Sequence, residues 1–315
     1  MARVALKVDC DTFLGTRDGI PRLLDILAKR GIRATFFFTL GPDRSGLAVR
    51  RVFTRKGFLE KMVRSRAPSL YPLRTMLSGT LLPAPRIGER CAEPIRGVAQ
   101  AGHETGVHGW DHVRWQDGLD RMSVERVRSE YGRAHAEYLR LFGHPARMSA
   151  APGWTVSPHS LEVQEERALL FTSDTRGGAP FFPAAEGRVF RTLEIPTTLP
   201  TLDEVLAWPH LGSDDGRRWM YRKALGEAEA EVEAAEGPNS FAVHTIHTEV
   251  EGGPYAGLFE RTLDDWLADG VAFVTLTEVA REVLGSHAPI PERPIVKTRL
   301  PGRAGRVATG WPAVR

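Results

Sequence analysis

The chain has 315 residues, 42% of them hydrophobic, enough for one large α/β domain or two small ones around a sizeable core. A net charge of +3 is too small for a dedicated nucleic-acid binder, and no apolar stretch approaches the roughly 20 residues needed to span a bilayer. Two cysteines, Cys10 and Cys91, exclude a disulfide framework, and MARVALKVDCD turns acidic before a signal-peptide core can form, so a reducing, cytoplasmic setting with at most peripheral membrane contact is expected.

VALKV (4–8) reads as a strand ending at Asp9, followed by a helix over roughly 19–29 in which Ile20, Leu23, Leu24 and Leu27 share a face. ATFFFTL (34–40) is the second strand. After it, from about 41 to 90, comes a basic, Pro-containing insert. Its cations include Arg50, Arg51, Arg55 and Lys56, interleaved with Phe53, Phe58, Leu59 and Met62. A helix near 92–101 leads to a strand ending GVH (106–108), and a helix over 123–142 follows with Ser123 as its N-cap.

ARMSA, LLFTS, FRTLEI and FAVHTIH supply later strands, and the acidic stretch 226–237 reads as a solvated helix. VAFVTL and the helix behind it close the pattern. About seven strands in βα alternation predict an α/β fold, a parallel sheet closed into an irregular barrel. The domain is expected to span 1–288. A Pro-, Gly- and Arg-rich tail, 289–315, is expected to be a flexible or surface-draped end.

Asp9 and Asp11 stand one residue apart at the end of the first strand, so a persisting strand points both to one face. Two carboxylates there repel unless a cation or a shared proton relieves them, although an isolated D-x-D also suits a solvated turn. His108 and His112 lie four apart in HGWDH, a spacing that brings both imidazoles to one side across a helical turn. Two His and one Asp make a three-ligand divalent site with positions left for water and substrate.

His247 ends the apolar strand FAVHTIH, and loops after strands meet at one face of a parallel barrel. His244, three residues earlier, should point elsewhere and suits the core. Asp174 in TSDTRGG also follows a strand, with Arg176 beside it as a possible partner. Trp154, in APGW, reads equally as a cleft wall or as core, and Glu249 in the loop after His247 joins it as a candidate substrate contact. Such a site suits amide hydrolysis by a metal, a carboxylate base and a histidine acid, but spacing does not separate the roles of the two aspartates.

Together these residues resemble the polysaccharide deacetylase superfamily, the NodB-homology or carbohydrate esterase family 4 fold. VDCDT stands where that family has a catalytic base and a metal-ligand aspartate, GHETGVHGWDH looks like its motif of two histidine ligands, and TIH like the motif of its catalytic acid. The resemblance implies a distorted (β/α)7 barrel, with Asp9 the base, Asp11, His108 and His112 the ligands, and His247 the acid.

VDCDTFLGTRDGIPRLLDIL, SLYPLRTMLSGT, VHGWDHVRWQ, SAAPGW, SDTRGGAPFFP, IPTTLPTLDEV and TIHTEVEGG resemble, in order, one branch: the 4-deoxy-4-formamido-L-arabinose-phosphoundecaprenol deformylases. That likeness implies hydrolysis of a formamido sugar carried on undecaprenyl phosphate, at the cytoplasmic face of the bacterial inner membrane, in support of lipid A modification and polymyxin resistance. Zinc is the expected divalent ion, with cobalt, manganese, nickel or iron also compatible.

In this light Arg50, Arg51, Arg55 and Lys56 are expected to meet anionic headgroups, at roughly 1 kcal/mol per charge, while Phe58 and Met62 enter the acyl region; a solvated amphipathic helix is the plain alternative. Many superfamily members orient the base with an arginine where this chain has Ala150. That leaves Arg176, and less well Arg147, as the expected orienting and supporting groups alongside Asp174. A deacetylase of another amino sugar and a silent module binding a lipid-linked sugar are the rival readings.

Overall fold

Eight consecutive residues, Arg3–Cys10, form strand β1, and all but the first are buried. The computed structural model describes residues 2–50, 73–208, 213–218, 220, 221, 223, 241–303 and 305–310. In order after β1 come β2 (Thr35–Thr39), β3 (Glu104–Gly109), β4 (Met148–Ser149), β5 (Phe171–Thr172), β6 (Phe182–Ala185) and β7 (Arg188–Val189). They are followed by β8 (Leu193–Glu194), β9 (Ala242–His247), β10 (Ala272–Val274), β11 (Glu292–Thr298) and β12 (Val307–Gly310).

Strands β9, β1, β2, β3, β4, β5 and β8 lie side by side and parallel. One edge of β1 carries β9 from Val4 to Asp9; the other is shared between β10 at Arg3–Ala5 and β2 at Lys7–Cys10. The sheet curls until its outer strands meet. The N–H groups of Thr198 and Leu199, just past β8, donate to the Val243 carbonyl on β9, and the Thr197 and Thr245 hydroxyls lie 2.7 Å apart. Closure by these few bonds, in place of a full ladder, is the distortion in the expected seven-stranded barrel.

Strand alternation divides the core in two. Val4, Leu6, Val8, Phe36, Phe38, Val107 and Ile246 face outward, against Leu23, Ile95, Tyr138 and Trp266 of the covering helices Ile20–Ala28, Ala92–Gln100, Val124–Phe142 and Ala256–Ala268. Ala5, Phe37, Phe171, Leu193 and Val243 face inward and fill the barrel. Lys7, Asp9, Thr245 and His247 share this inward parity on β1 and β9. His244 has the outward parity and packs on Tyr221 and Trp266, as its position in the sequence implies.

Ser123 caps its helix, accepting from the Arg126 N–H. The first helix, Ile20–Ala28, lies where the sequence places it, and a π-turn at Gly15–Gly19 precedes it. It presses on the loop after β9 so closely that a Cβ at Gly19 would lie 2.1 Å from the Thr248 carbonyl oxygen. The π-turn therefore sets the loop that carries Glu249 and Glu251.

The C-terminal segment expected to be flexible or surface-draped instead forms strands. β12 pairs antiparallel with β11, β11 runs parallel to β6, and β6 pairs with β7, giving a second, four-stranded sheet. All four residues of β12 are buried, and the Ala308 carbonyl accepts the Arg176 N–H at 2.9 Å. Pairing with β11 and burial of Val307–Gly310 outweigh the breaker-rich composition around them. Of the basic insert, Arg50 ends the short 3-10 helix Ser45–Arg50. Arg51, Arg55, Lys56, Phe58 and Met62 lie outside the described residues, as does the acidic stretch 226–237.

Because backbone faces Gly19 on that side, Gly19→Ala should cost about 1–3 kcal/mol of stability in urea titration. Gly285→Ala, with open space around its Cβ, should stay within about 0.5 kcal/mol of the parent chain.

Candidate metal centre and its surroundings

Asp9 is the last inward residue of β1, and its Oδ2 lies 3.4 Å from Lys7 Nζ, two residues back on the same face. Lys7 is fully buried. Its ammonium also donates to the Ser173 carbonyl at 2.8 Å and lies 5.4 Å from the Trp154 ring centroid. The cation that reaches Asp9 is thus Lys7; Arg176, the expected orienting group, turns to Glu204 at 2.6 Å, and Arg147 is exposed. The sequence signal was present, a lysine inside the apolar run VALKV at the parity of Asp9.

Asp11, just past the strand, meets both histidines. Its Oδ1 is 3.1 Å from His108 Nε2 and its Oδ2 is 3.3 Å from His112 Nε2. The two residues reach it from different elements, since His108 lies in β3 and His112 is the first residue of the helix His112–Gly118. The intervening chain is not the helical turn expected from the spacing. Gly109 at φ +121° turns it, and Asp111 caps the helix by accepting from the Arg114 N–H at 3.1 Å. Arg44 holds the buried Asp111 carboxylate from the other side.

One ligand atom from each of Asp11, His108 and His112 lies within 4.8 Å of the others. Asp9 Oδ1, Asp11 Oδ1 and His108 Nδ1 are buried without a well-directed hydrogen bond. Burial pushes the Asp11 carboxyl up, but His112 and His108 outweigh it and hold the group well below the usual carboxylate range. Burial likewise pushes His108 down, yet Asp9 and Asp11 outweigh it and raise its pKa. A carboxylate and two imidazoles converging in this way are the donor set of a divalent-ion site.

His247 ends β9 and is paired in register with Asp9 across the two strands. It is partly exposed, and its ring meets Trp154 edge-on with centroids 6.4 Å apart. Trp154 is held in the left-handed region at φ +51°, directly after Gly153 at +59°. Holding a tryptophan there costs on the order of 1–3 kcal/mol, and its side chain is buried. Its indole N–H donates to Thr197 Oγ1 at 3.1 Å.

Glu251 Oε2 accepts the His247 backbone N–H at 2.8 Å, and burial raises its carboxyl to about 7. Glu249 is buried beside Thr248, and burial followed by the charge of Asp11 pushes its pKa well up.

Asp174 pairs with neither Asp9 nor Arg176 among the described contacts. It lies below the centre, where Gln164 Nε2 donates to both its Oδ2 and the Tyr131 hydroxyl. Glu194 accepts from the Thr172 hydroxyl at 2.6 Å, from the Asp174 N–H at 2.7 Å and from the Thr175 N–H and hydroxyl at 2.8 Å. Burial and the Glu194 charge raise Asp174 to about 8. With Glu194 so well supplied with donors, Asp174 keeps the pair's proton.

A folded pKa raised from 3.8 to about 8 means that the folded chain binds more protons in that window, so this contribution to stability falls as pH rises through it. Asp174→Asn should flatten the decline, by about 1–3 kcal/mol between pH 5 and 8, as read from urea midpoints.

Comparison with known proteins fits this geometry. The polysaccharide deacetylase family profile matches residues 3–169. A protein of Shewanella sediminis named probable 4-deoxy-4-formamido-L-arabinose-phosphoundecaprenol deformylase ArnD is 36% identical over 97% of this chain and 93% of its own length. One of the same name from Wigglesworthia glossinidia brevipalpis is 31% identical over 94% of this chain and 98% of its own.

Among solved structures, a putative polysaccharide deacetylase from Mycobacterium smegmatis superposes with a TM-score of 0.59 at 18% identity, covering 92% of each chain. Puue allantoinase does so at 0.60 and 15% identity, covering 91% of each. These two show the shared fold. The chain belongs to the polysaccharide deacetylase family and, within it, to the group of the 4-deoxy-4-formamido-L-arabinose-phosphoundecaprenol deformylases.

Proposed function

We propose that this chain hydrolyses the formamide of undecaprenyl phosphate-linked 4-deoxy-4-formamido-L-arabinose, releasing formate and the free 4-amino sugar lipid used in lipid A modification and polymyxin resistance. The observation that carries the reading is the 36% identity with a named deformylase across 97% of the chain. The convergence of Asp11, His108 and His112 and the pairing of His247 with Asp9 support it.

Asp11, His108 and His112 would hold one divalent ion. Zinc suits two imidazoles and a carboxylate, and cobalt, manganese, nickel or iron remain compatible. Such an ion, when bound, supplies an acidified water and a Lewis acid for the formyl carbonyl. Asp9 stays outside the ligand set. With Lys7 fixing one oxygen, its other oxygen is free to take the proton from water as it attacks the carbonyl carbon. His247, on the neighbouring strand and partly open to solvent, donates a proton to the amine as the C–N bond breaks. The water oxygen thus ends in formate, and the proton taken by Asp9 makes good the one His247 gives to the amine, so both groups return to their starting states. Trp154 fixes the edge of the His247 ring, and Glu249 lines the Asp11 side.

We assign the enzyme to the cytoplasmic face of the inner membrane, where it would meet a lipid-linked substrate. None of the described helices is long and apolar enough to cross a membrane, and the contact proposed is peripheral. We assign that contact to Arg50, Arg51, Arg55, Lys56, Phe58 and Met62 of the insert.

Mass spectrometry of the formamido-arabinose lipid, after incubation with metal-reconstituted chain, tests the reading. Loss of the formyl mass with free formate is expected, and Asp9→Ala should slow it by about 100-fold or more. Acetate release from an acetamido analogue at an equal rate would replace deformylation by deacetylation. Binding without turnover would replace it by a silent module.

Lys7→Met keeps the length and removes the charge. It should lower kcat about 10- to 100-fold with KM within about twofold, because a displaced base is lost from the chemical step only. Unchanged kcat would remove Lys7 from the mechanism.

A further inference from the structure

The C-terminal segment reaches Trp154, the residue whose ring meets His247. Its turn is seated by Gly302, at φ +78°, where a Cβ would lie 2.5 Å from the Glu204 carbonyl oxygen and 2.9 Å from Trp208 Nε1. Only glycine allows that approach to the helix Leu202–Leu206. The seat delivers Arg303. Its guanidinium stands 4.4 Å from the Trp154 ring centroid, and its Nη1 is 3.3 Å from Glu204 Oε1.

Arg176 approaches the same two groups. Its guanidinium is 5.1 Å from the Trp154 centroid, Nη1 is 2.6 Å from the same Glu204 oxygen, and its remaining donors go to the Thr197 and Leu199 carbonyls. Among the described residues Glu204 is the carboxylate paired with either arginine. Lys7, the third cation on this indole, is matched by Asp9. Among the described residues, three cations around one indole therefore face two carboxylates, and one positive charge is left over.

The Arg303 side chain is only 11% exposed. A cation that far out of water is costly without a counter-charge, and a guanidinium on an aromatic face is well suited to a phosphoryl group. Trp154 links this charge to the reaction, because the indole that carries Arg303 also meets the His247 ring.

We infer that Arg303, braced by Glu204 and Trp154, is the subsite for the phosphodiester monoanion at the far end of the sugar whose amide lies at His247. The assignment of the anion as the substrate's own phosphodiester rests on the deformylase reading. It makes the C-terminal segment part of the substrate site and assigns the specificity for a phosphate-linked sugar to a residue outside the metal centre.

Calorimetric titration of the full-length chain with methyl L-arabinopyranosyl phosphate, methyl L-arabinopyranoside and inorganic phosphate tests this. The phosphodiester should bind about tenfold or more tightly than the glycoside, and more tightly than inorganic phosphate. Arg303→Gln should remove that preference, a loss of about 10- to 100-fold, while Arg303→Lys keeps part of it. Arg306→Gln, on the exposed side of the same segment, should leave it unchanged.

Equal binding of phosphodiester and glycoside by the parent chain would overturn the assignment without recourse to any variant. So would Arg303→Gln that melts like the parent and keeps the preference. Inorganic phosphate binding as tightly as the phosphodiester would give the site to free phosphate instead. Failure of the parent chain to release formate would count against the deformylase reading alone, since these titrations do not require turnover.

Discussion

Two carboxylates one residue apart at the end of a buried strand repel strongly, and the arrangement around β1 sets a different nearest cationic partner against each, with His108 Nδ1 also 3.8 Å from Asp9 Oδ1. Asp9 has Lys7, on the same strand and the same face. Asp11 has the two imidazoles that converge on its oxygens from β3 and the helix behind it. The separation matters chemically. A carboxylate committed to a metal is a poor base, whereas one paired with an ammonium on a single oxygen keeps its other oxygen for a proton.

The barrel supplies the positions. The central strand places residues 7 and 9 in its interior, and register carries His247 beside Asp9. The Lys7 ammonium is anchored through the Ser173 carbonyl, next to a buried layer in which Gln164 bridges Asp174 and Tyr131 and the Asp174 N–H donates to Glu194. From above, Trp154 accepts Lys7, Arg176 and Arg303 around one ring and abuts His247. The second sheet closes this side, because β12 holds the backbone of Arg176.

Much of the centre was legible in the sequence for local reasons. Period-2 alternation placed Asp9 and His247 at strand ends and sent His244 outward, and the spacing of His108 and His112 survived even though a turn and a capped helix realise it. That Arg176 turns away from Asp9 was not legible, because its partner Glu204 lies 28 residues away and nothing local ties the two. Lys7 was legible only by parity, as a charge in an apolar strand whose cost implies a buried partner. The C-terminal strands were hidden by composition. Proline, glycine and arginine predict a loose end, and pairing with β6 across more than 100 residues of sequence overrides that preference.

Zinc titration of the parent chain, Lys7→Met and Asp11→Asn tests the division between the two carboxylates most directly. About one ion per chain should bind to the parent and to Lys7→Met with affinities within about threefold, while Asp11→Asn loses tight binding, since a ligand has been removed. Asp11→Asn retaining the parent's affinity, or Lys7→Met losing the ion as completely as Asp11→Asn, would contradict the account.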